Sequence, residues 1–351
     1  MISSINLLIT AGLLSSANSY DLAVDNVRIY QPEKGSYSSP TRIYVDDGRI
    51  VDIENIAEPL KKAEKVIDAN NQFATPGLTD LHVHLSASGS NYSNFQHVPV
   101  TSHLNSNLHL GITQIVDLFA SEELINQTIK LAANEHTPTF FYAGLLFTNK
   151  GGHGTQFGSD ALVVVDDSDI PALWEKHMSL KPSVTKAVIE SFGGHGSTLT
   201  DSQLKAIGIR SKAAGLPYFI HVSTLADGKR AIRAGATALA HGIANEAIDQ
   251  EFIALMKKHD VAYIPTLAVM QNHHREKHDQ AVSGQPELLA TVPKKLQHCL
   301  FSKVPTPSKW LEELWQQRDH AFNNVKRLQQ AGIKIGTGSD AGNPYTLHGA
   351  G

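Results

Sequence analysis

Between residues 22 and 74 apolar and polar side chains alternate in short runs. Residues 22–30 alternate, and residues 41–45 and 49–53 flank Asp46-Asp47-Gly48, the chemistry of a tight hairpin. Residues 65–67 add a further short strand ahead of Asn70-Asn71. Three or four short strands do not bury a core by themselves, so this region is expected to pack against something else. After Pro76-Gly77 the texture changes. Apolar, β-branched or aromatic runs recur near Leu81 and at residues 112–118, 140–146, 187–189, 218–222, 237–240, 262–267 and 333–336. Several helical stretches between them end alike: Ala214-Gly215, Ala234-Gly235 and Ala331-Gly332 each place a glycine at a helix C-terminus just before a strand. Eight strands with intervening helices predict an α/β fold, a (β/α)8 TIM barrel over residues 75–351, with a β-sandwich portion over 20–74. A doubly wound three-layer sheet is the alternative. Residues 271–330 are long, polar and helix-rich, and read as an elaborated crossover between the seventh and eighth strands. Residues 340–351 follow the eighth strand directly, so the eighth helix is absent and the sequence reads as a fragment.

Composition narrows the classes. With 41% hydrophobic and 18% charged residues, the 351-residue chain is globular rather than disordered or fibrous. Its net charge of −4, with no long block of one sign, leaves no electrostatic footprint for nucleic acid or an anionic membrane. Cys299 is the single cysteine, which excludes a disulfide framework and any Cys-rich zinc module. The first twenty residues carry no charged side chain, residues 5–14 are mostly apolar, and Ala17-Asn18-Ser19 offers a small-x-small cleavage pattern. Residues 1–19 are therefore expected to be a secretory signal peptide, giving a periplasmic or secreted protein, although no Lys or Arg precedes the apolar run. Without that signal the location would be cytoplasmic. No segment approaches 18 consecutive apolar residues, so no membrane span is expected. The histidine count of 18 is high, and their positions carry the chemistry.

His82-Val83-His84 follows the strand-like Leu78-Thr79-Asp80-Leu81. Alternate side chains of a strand share a face, so His82 and His84 point the same way and can grip one metal ion. One His-x-His is a weak signal, because two half-buried histidines satisfied by hydrogen bonds explain it equally well. Three more polar residues end later strands: His221 after Tyr218-Phe219-Ile220, His241 after Thr237-Ala238-Leu239-Ala240, and Asp340 after residues 333–339. In a barrel all five fall at the C-terminal ends of strands, the face on which barrel active sites are built. Together they are a strong signal.

This constellation resembles the amidohydrolase superfamily, and most closely its imidazolonepropionase-like and prolidase-like branch. The resemblance runs from Asp21 to Gly351. It is carried by Pro76-Gly77-Leu78-Thr79-Asp80-Leu81-His82-Val83-His84, His221-Val222-Ser223-Thr224 and Gly235-Ala236-Thr237-Ala238-Leu239-Ala240-His241-Gly242. Ile264-Pro265-Thr266-Leu267 and Gly338-Ser339-Asp340-Ala341-Gly342-Asn343-Pro344 complete it. It implies a metal-dependent barrel with a small β-sandwich built from both chain ends, whose C-terminal part is missing here. It further implies that His82, His84 and Asp340 hold one metal and that His221 and His241 hold the second. A carboxylated lysine would bridge them. Lys186, leading Lys186-Ala187-Val188-Ile189-Glu190, is the candidate, and Glu190 on the same strand face is its rival.

Imidazole and carboxylate ligands suit two divalent metal ions, zinc first, with manganese or iron as alternatives. Two such ions about 3.5–4 Å apart lower the pKa of a shared water towards about 7, and the resulting hydroxide attacks a carbonyl carbon. Asp340 is placed to carry the proton to the leaving nitrogen. Gly151-Gly152-His153-Gly154 and Gly193-Gly194-His195-Gly196 are loops in which the backbone can approach a ligand closely. The first resembles the branch's substrate loop, making His153 the leading substrate contact and His195 a second. His273, His274 and His278 sit in a polar helical stretch and read as a solvated face. The expected function is metal-dependent hydrolysis of an amide-type C–N bond in a small-molecule substrate, a dipeptide or cyclic amide. A deaminase is the first alternative, weakened because Thr224 stands where such enzymes carry a glutamate. A non-catalytic binding protein on the same barrel is the second, and a homo-oligomer is compatible with either.

Overall fold

The computed structural model describes residues 19–90, 96–133, 136–157, 160–190, 197–272, 286–300 and 309–349. Residues 1–18 of the expected signal peptide, His195, and His273, His274 and His278 lie outside the described residues. The chain divides into two compact units, residues 1–76 and 77–351.

In the first unit β1 (Tyr20–Gln31) is the central strand. It pairs antiparallel with β2 (Ser36–Tyr37) and β3 (Thr41–Asp46), and β3 pairs antiparallel with β4 (Arg49–Asn55). On its other edge β1 runs parallel to β5 (Ala63–Asp68) and β6 (Phe73–Ala74). The expected hairpin is the β3–β4 connection. Asp47 and Gly48 both take positive φ, 48° and 67°, as the two centre residues of a tight primed turn must. Ala23 and Tyr44 are fully buried, whereas Ile50 and Ile53 on β4 stay 62% and 52% exposed. Among the described residues this unit is a six-stranded sheet. Every short strand joins a ladder built on β1 or β3.

The second unit alternates strands and helices. β7 (Leu78–Val83), α1 (Val100–His109), β8 (Ile112–Asp117), α2 (Glu122–Ala132) and β9 (Thr139–Tyr142) come first, then β10 (Phe147–Asn149), β11 (Leu162–Val164) and α3 (Ile170–Ser179). β12 (Thr185–Val188), α4 (Asp201–Ala213), β13 (Tyr218–His221), α5 (Leu225–Arg233), β14 (Ala238–Ala240), α6 (Gln250–His259) and β15 (Ala262–Ile264) follow. The crossover after β15 holds α7 (Leu267–Asn272), α8 (Pro286–Thr291), α9 (Lys294–Leu300) and α10 (Lys309–Gln330).

All pairings between these strands are parallel: β7–β8–β9, and β11–β10–β12–β13–β14–β15. Tyr142 O joins the two groups by accepting from Ser183 N at 2.8 Å. Residues 334–341 close the ring. Tyr263 N donates to Lys334 O at 2.9 Å, Leu81 N to Thr337 O at 3.0 Å, and His84 N to Ala341 O at 2.8 Å. The result is a TIM-barrel-like α/β fold with an N-terminal sheet unit, not an open doubly wound sheet.

Two details depart from the sequence pattern. The third run breaks at Gly144, whose φ of 70° turns the chain, so β9 and β10 are separate and β11 pairs outside the ring. The eighth run forms isolated bridges rather than a continuous strand. It passes close to its neighbours at Gly338, where a Cβ would meet Ile264 Cγ2 at 2.5 Å and His82 Cβ at 3.1 Å. Glycine there lets the segment carrying Asp340 lie against β7.

Alternate strand residues divide the core. Tyr218, Ile220, Leu239 and Tyr263 join Leu204, Ile232, Phe252 and Met256 of the helices in one large cluster. Val116, Phe219, Ala238, Ala240 and Ile264 pack together in another. Period 2 places Lys186 and His221 with the second set, facing the ring's interior. Helix starts follow their caps: Ser121 accepts from Leu124 N, Thr200 and Gln203 form a capping box, and Asp249 accepts from Phe252 N.

Candidate metal centre and active site

His82 lies on β7 and His84 just beyond it, His221 ends β13, His241 follows β14, and Asp340 lies in the closing segment. Their side chains converge. His82 Nε2 and His84 Nε2 are 3.3 Å apart, and Asp340 Oδ1 lies 3.2 Å from the first and 3.0 Å from the second. Asp340 Oδ2 is 3.8 Å from His241 Nδ1. The rings continue in a line: His82 to His241 at 4.6 Å between centroids, His241 to His221 at 4.2 Å, and His221 to His153 at 5.0 Å. His82, His241 and Asp340 each offer one ligand atom within 4.8 Å of the others.

Backbone geometry serves this convergence. His241, Thr266 and Asp340 adopt positive φ of 76°, 44° and 61°. Non-glycine residues occupy that region only where surrounding structure enforces it, and such outliers gather at functional sites. Thr266 is itself buried, and its Oγ1 lies 2.8 Å from His241 Nδ1, fixing the ring.

The electrostatics are those of a site short of positive charge. Burial, together with Lys186, drives His82 well below the ordinary histidine range, and burial with His221 does the same to His241. Neutral rings present lone pairs rather than protons. Burial alone would push Asp340 up, but His82, His241 and His84 outweigh it and hold it well below the carboxylate range. Asp340 Oδ1 therefore faces two imidazole nitrogens without an aligned hydrogen bond, and His82 Nδ1 and Lys186 Nζ are also buried without hydrogen-bond partners. Buried polar atoms are normally satisfied, so a cluster of orphans is a specific observation. Nitrogen and oxygen donors converging in this way fit a divalent cation.

Lys186 on β12 is 2% exposed, and burial, opposed by Asp340, lowers its pKa to about 7. Glu190, two residues past the end of β12, sets Oε2 3.4 Å from His221 Nε2. Glu190 thus faces His221. His153 is held by Gln156, whose Nε2 lies 2.8 Å from its Nδ1, and burial followed by His221 lowers its pKa to about 3. His195 lies outside the described residues.

Three buried polar residues escape the sequence argument. Asp80, two positions before His82 and so on the same strand face, was findable by period 2. Asp117 ends β8, a strand-end position like the others. Thr266 carries no such signal, because only its backbone conformation and its contact with His241 mark it.

The amidohydrolase family model matches residues 73–350. A curated dihydroorotase from Anaeromyxobacter dehalogenans (strain 2CP-C) is 32% identical over 71 residues, which is 20% of this chain and 16% of that protein. The chain thus spans about one sixth of the curated relative it matches. Among solved structures, a Xaa-Pro dipeptidase with methionine bound in its active site superposes with a TM-score of 0.72 at 19% identity, covering 93% of this chain and 80% of that one. The A. niger ochratoxinase gives 0.67 at 16% identity, covering 91% and 75%. These two show likeness of fold. With a family model matching all but the N-terminal residues, the chain belongs to the amidohydrolase family.

Proposed function

We propose that this protein is a metal-dependent hydrolase that cleaves an amide-type C–N bond in a dipeptide or a cyclic amide. The observation that carries the reading is the convergence of His82, His84 and His241 on Asp340 beside the orphaned Lys186 Nζ. In this reading His82, His84 and Asp340 hold one divalent ion, His221 and His241 hold a second, and zinc is the preferred metal. Lys186, carboxylated by carbon dioxide, would be the ligand the two ions share, with Glu190 as the alternative. Bound ions of this kind supply Lewis acidity towards water and the scissile carbonyl.

The chain's own groups do the rest. Asp340, held as a carboxylate by its neighbours, accepts the proton of the attacking water at a carboxylate oxygen and delivers it to the leaving nitrogen. His153, stacked towards His221 and braced by Gln156, orients the substrate from the opposite end of the histidine line. His195 is proposed as a second substrate contact. Likeness to the Xaa-Pro dipeptidase makes Xaa-Pro dipeptides the first substrates to try.

A specific contact argues against deamination. Thr224, at the position where a deaminase places its glutamate, caps α5 by accepting from Asp227 N at 3.1 Å and donating to Asp227 Oδ2 at 2.7 Å. The first nineteen residues are proposed to direct export to the periplasm or medium, and no helix among the described residues is long and apolar enough to cross a membrane.

The test is a panel of dipeptides, cyclic amides and amino-substituted rings, assayed with zinc- and manganese-loaded protein. Release of a free amine or ring-opened acid supports the reading. Ammonia release from an amino-substituted ring would replace it with deamination, and no turnover by loaded, folded protein would remove it.

A further inference from the structure

Two buried carboxylates flank His82-Val83-His84 and are not in the proposed ligand set. Asp80 is 4% exposed and Asp117 fully buried. Burying a carboxylate is costly unless hydrogen bonds satisfy it, and here the donors are backbone N–H groups and one hydroxyl. Asp80 Oδ1 accepts from His82 N at 3.1 Å and from Ser339 N at 3.0 Å, while Oδ2 accepts from the Ser339 hydroxyl. The same hydroxyl oxygen accepts from Ala341 N at 3.0 Å. One carboxylate oxygen thus grips the backbones that carry His82 and Asp340, and Ser339 extends the grip to the far side of Asp340. Asp117 works on the other flank. Its Oδ2 accepts from Leu85 N, directly after His84, and its Oδ1 from Phe119 N, both at 2.9 Å.

We propose that Asp80, through Ser339, and Asp117 are positioning residues that set the angle at which His82, His84 and Asp340 face a common metal ion. The inference rests on the metal-dependent reading above and adds to it two residues outside the set that would bind the ions. The hydrogen-bond inventory gives it an asymmetric signature. At Asp80 a single oxygen takes both N–H groups, so Asp80→Asn keeps that oxygen and its amide can donate to the Ser339 hydroxyl oxygen. At Asp117 both oxygens take N–H groups, so Asp117→Asn must set an amide donor against one of them. Side-chain packing or loss of one buried charge would treat the two isosteric substitutions alike.

The experiment is titration of the metal-free full chain with cobalt(II), followed by its visible absorption and by chelator competition, with circular dichroism confirming the fold of each variant. Asp117→Asn is expected to weaken cobalt binding by about 10–100-fold, the usual range for residues that orient metal ligands, and to change the band intensities. Asp80→Asn should stay within about threefold of the parent, and Ser339→Ala should lose about tenfold. Ser339→Ala also reads the first clasp if Asp117→Asn does not fold. Equal affinities across parent and variants, or equal losses in the two Asn variants, would overturn the proposal while leaving the metal site standing. A parent chain that takes up no cobalt would instead overturn the metal reading, and this proposal with it.

Discussion

The two halves of the candidate site are built differently. The half formed by β7 and the closing segment is organised by backbone. His82 and Asp340 are nearly inaccessible, their main chains hydrogen-bond to each other, and carboxylates hold the flanking peptides. The half formed by β12, β13 and β14 has the parallel ladder but, among the described residues, no carboxylate clasp on the peptides beside its histidines. His153, His221 and Glu190 meet through a ring contact and a long 3.4 Å approach, Lys186 Nζ is buried without a hydrogen-bond partner, and the foot of β12 rests on a buried neutral histidine. Backbone clasps fix direction more tightly than side-chain contacts, because fewer rotatable bonds separate the ligand from the anchor. The first half is therefore the rigid one, and the second is where metal occupancy and substrate specificity can vary.

The largest expected effect falls on the rigid half. Asp340→Asn removes both a ligand and the proton carrier, and should lower kcat by about 10³-fold or more, with KM changing less. A loss under tenfold would break the contrast. Next comes stability in acid, which buried histidines of both halves limit. His177 is fully buried, its Nε2 3.2 Å from Thr185 Oγ1 beside Lys186, and burial lowers its pKa to about 4. An unfolded histidine protonates near pH 6.5, so the unfolded state binds the proton first as pH falls. Stability from this group is complete above about pH 6.5 and is lost progressively down to about pH 4, by up to roughly 3 kcal/mol. Chemical denaturation across that window should show the slope, and His177→Leu should make it shallower, the other buried histidines keeping the rest.

Lys186→Met should then reduce bound metal from about two equivalents to about one and lower kcat by about 100-fold, whereas Glu190→Gln should leave stoichiometry intact. Elemental analysis decides, and the opposite pattern would make Glu190 the bridge. The smallest effect is on His153. His153→Asn should raise KM by about tenfold with kcat within about threefold, the pattern of a group that binds ground state and transition state alike.

Sequence periodicity makes the strand-end positions legible because the side-chain period of a strand is fixed, so His82 and His84 must share a face and His221 must alternate with Ile220. Turn chemistry is local, so Asp47-Gly48 is readable as well. What cannot be read there depends on distant backbone. The kink at Gly144 that splits β9 from β10 and the reduction of the eighth run to bridges each depend on which strand finds which neighbour. Strand period and strand end mark Asp80 and Asp117 as positions, but their role stays unread until their N–H partners, separated by as many as 259 positions, are seen. Thr266 is visible only through its φ and its contact with His241.

The central claim is that these side chains together hold a pair of metal ions. Its most direct test is elemental analysis of protein expressed in metal-supplemented medium and purified without chelator. The account predicts about two equivalents of zinc or manganese per chain. Folded protein carrying none would contradict it.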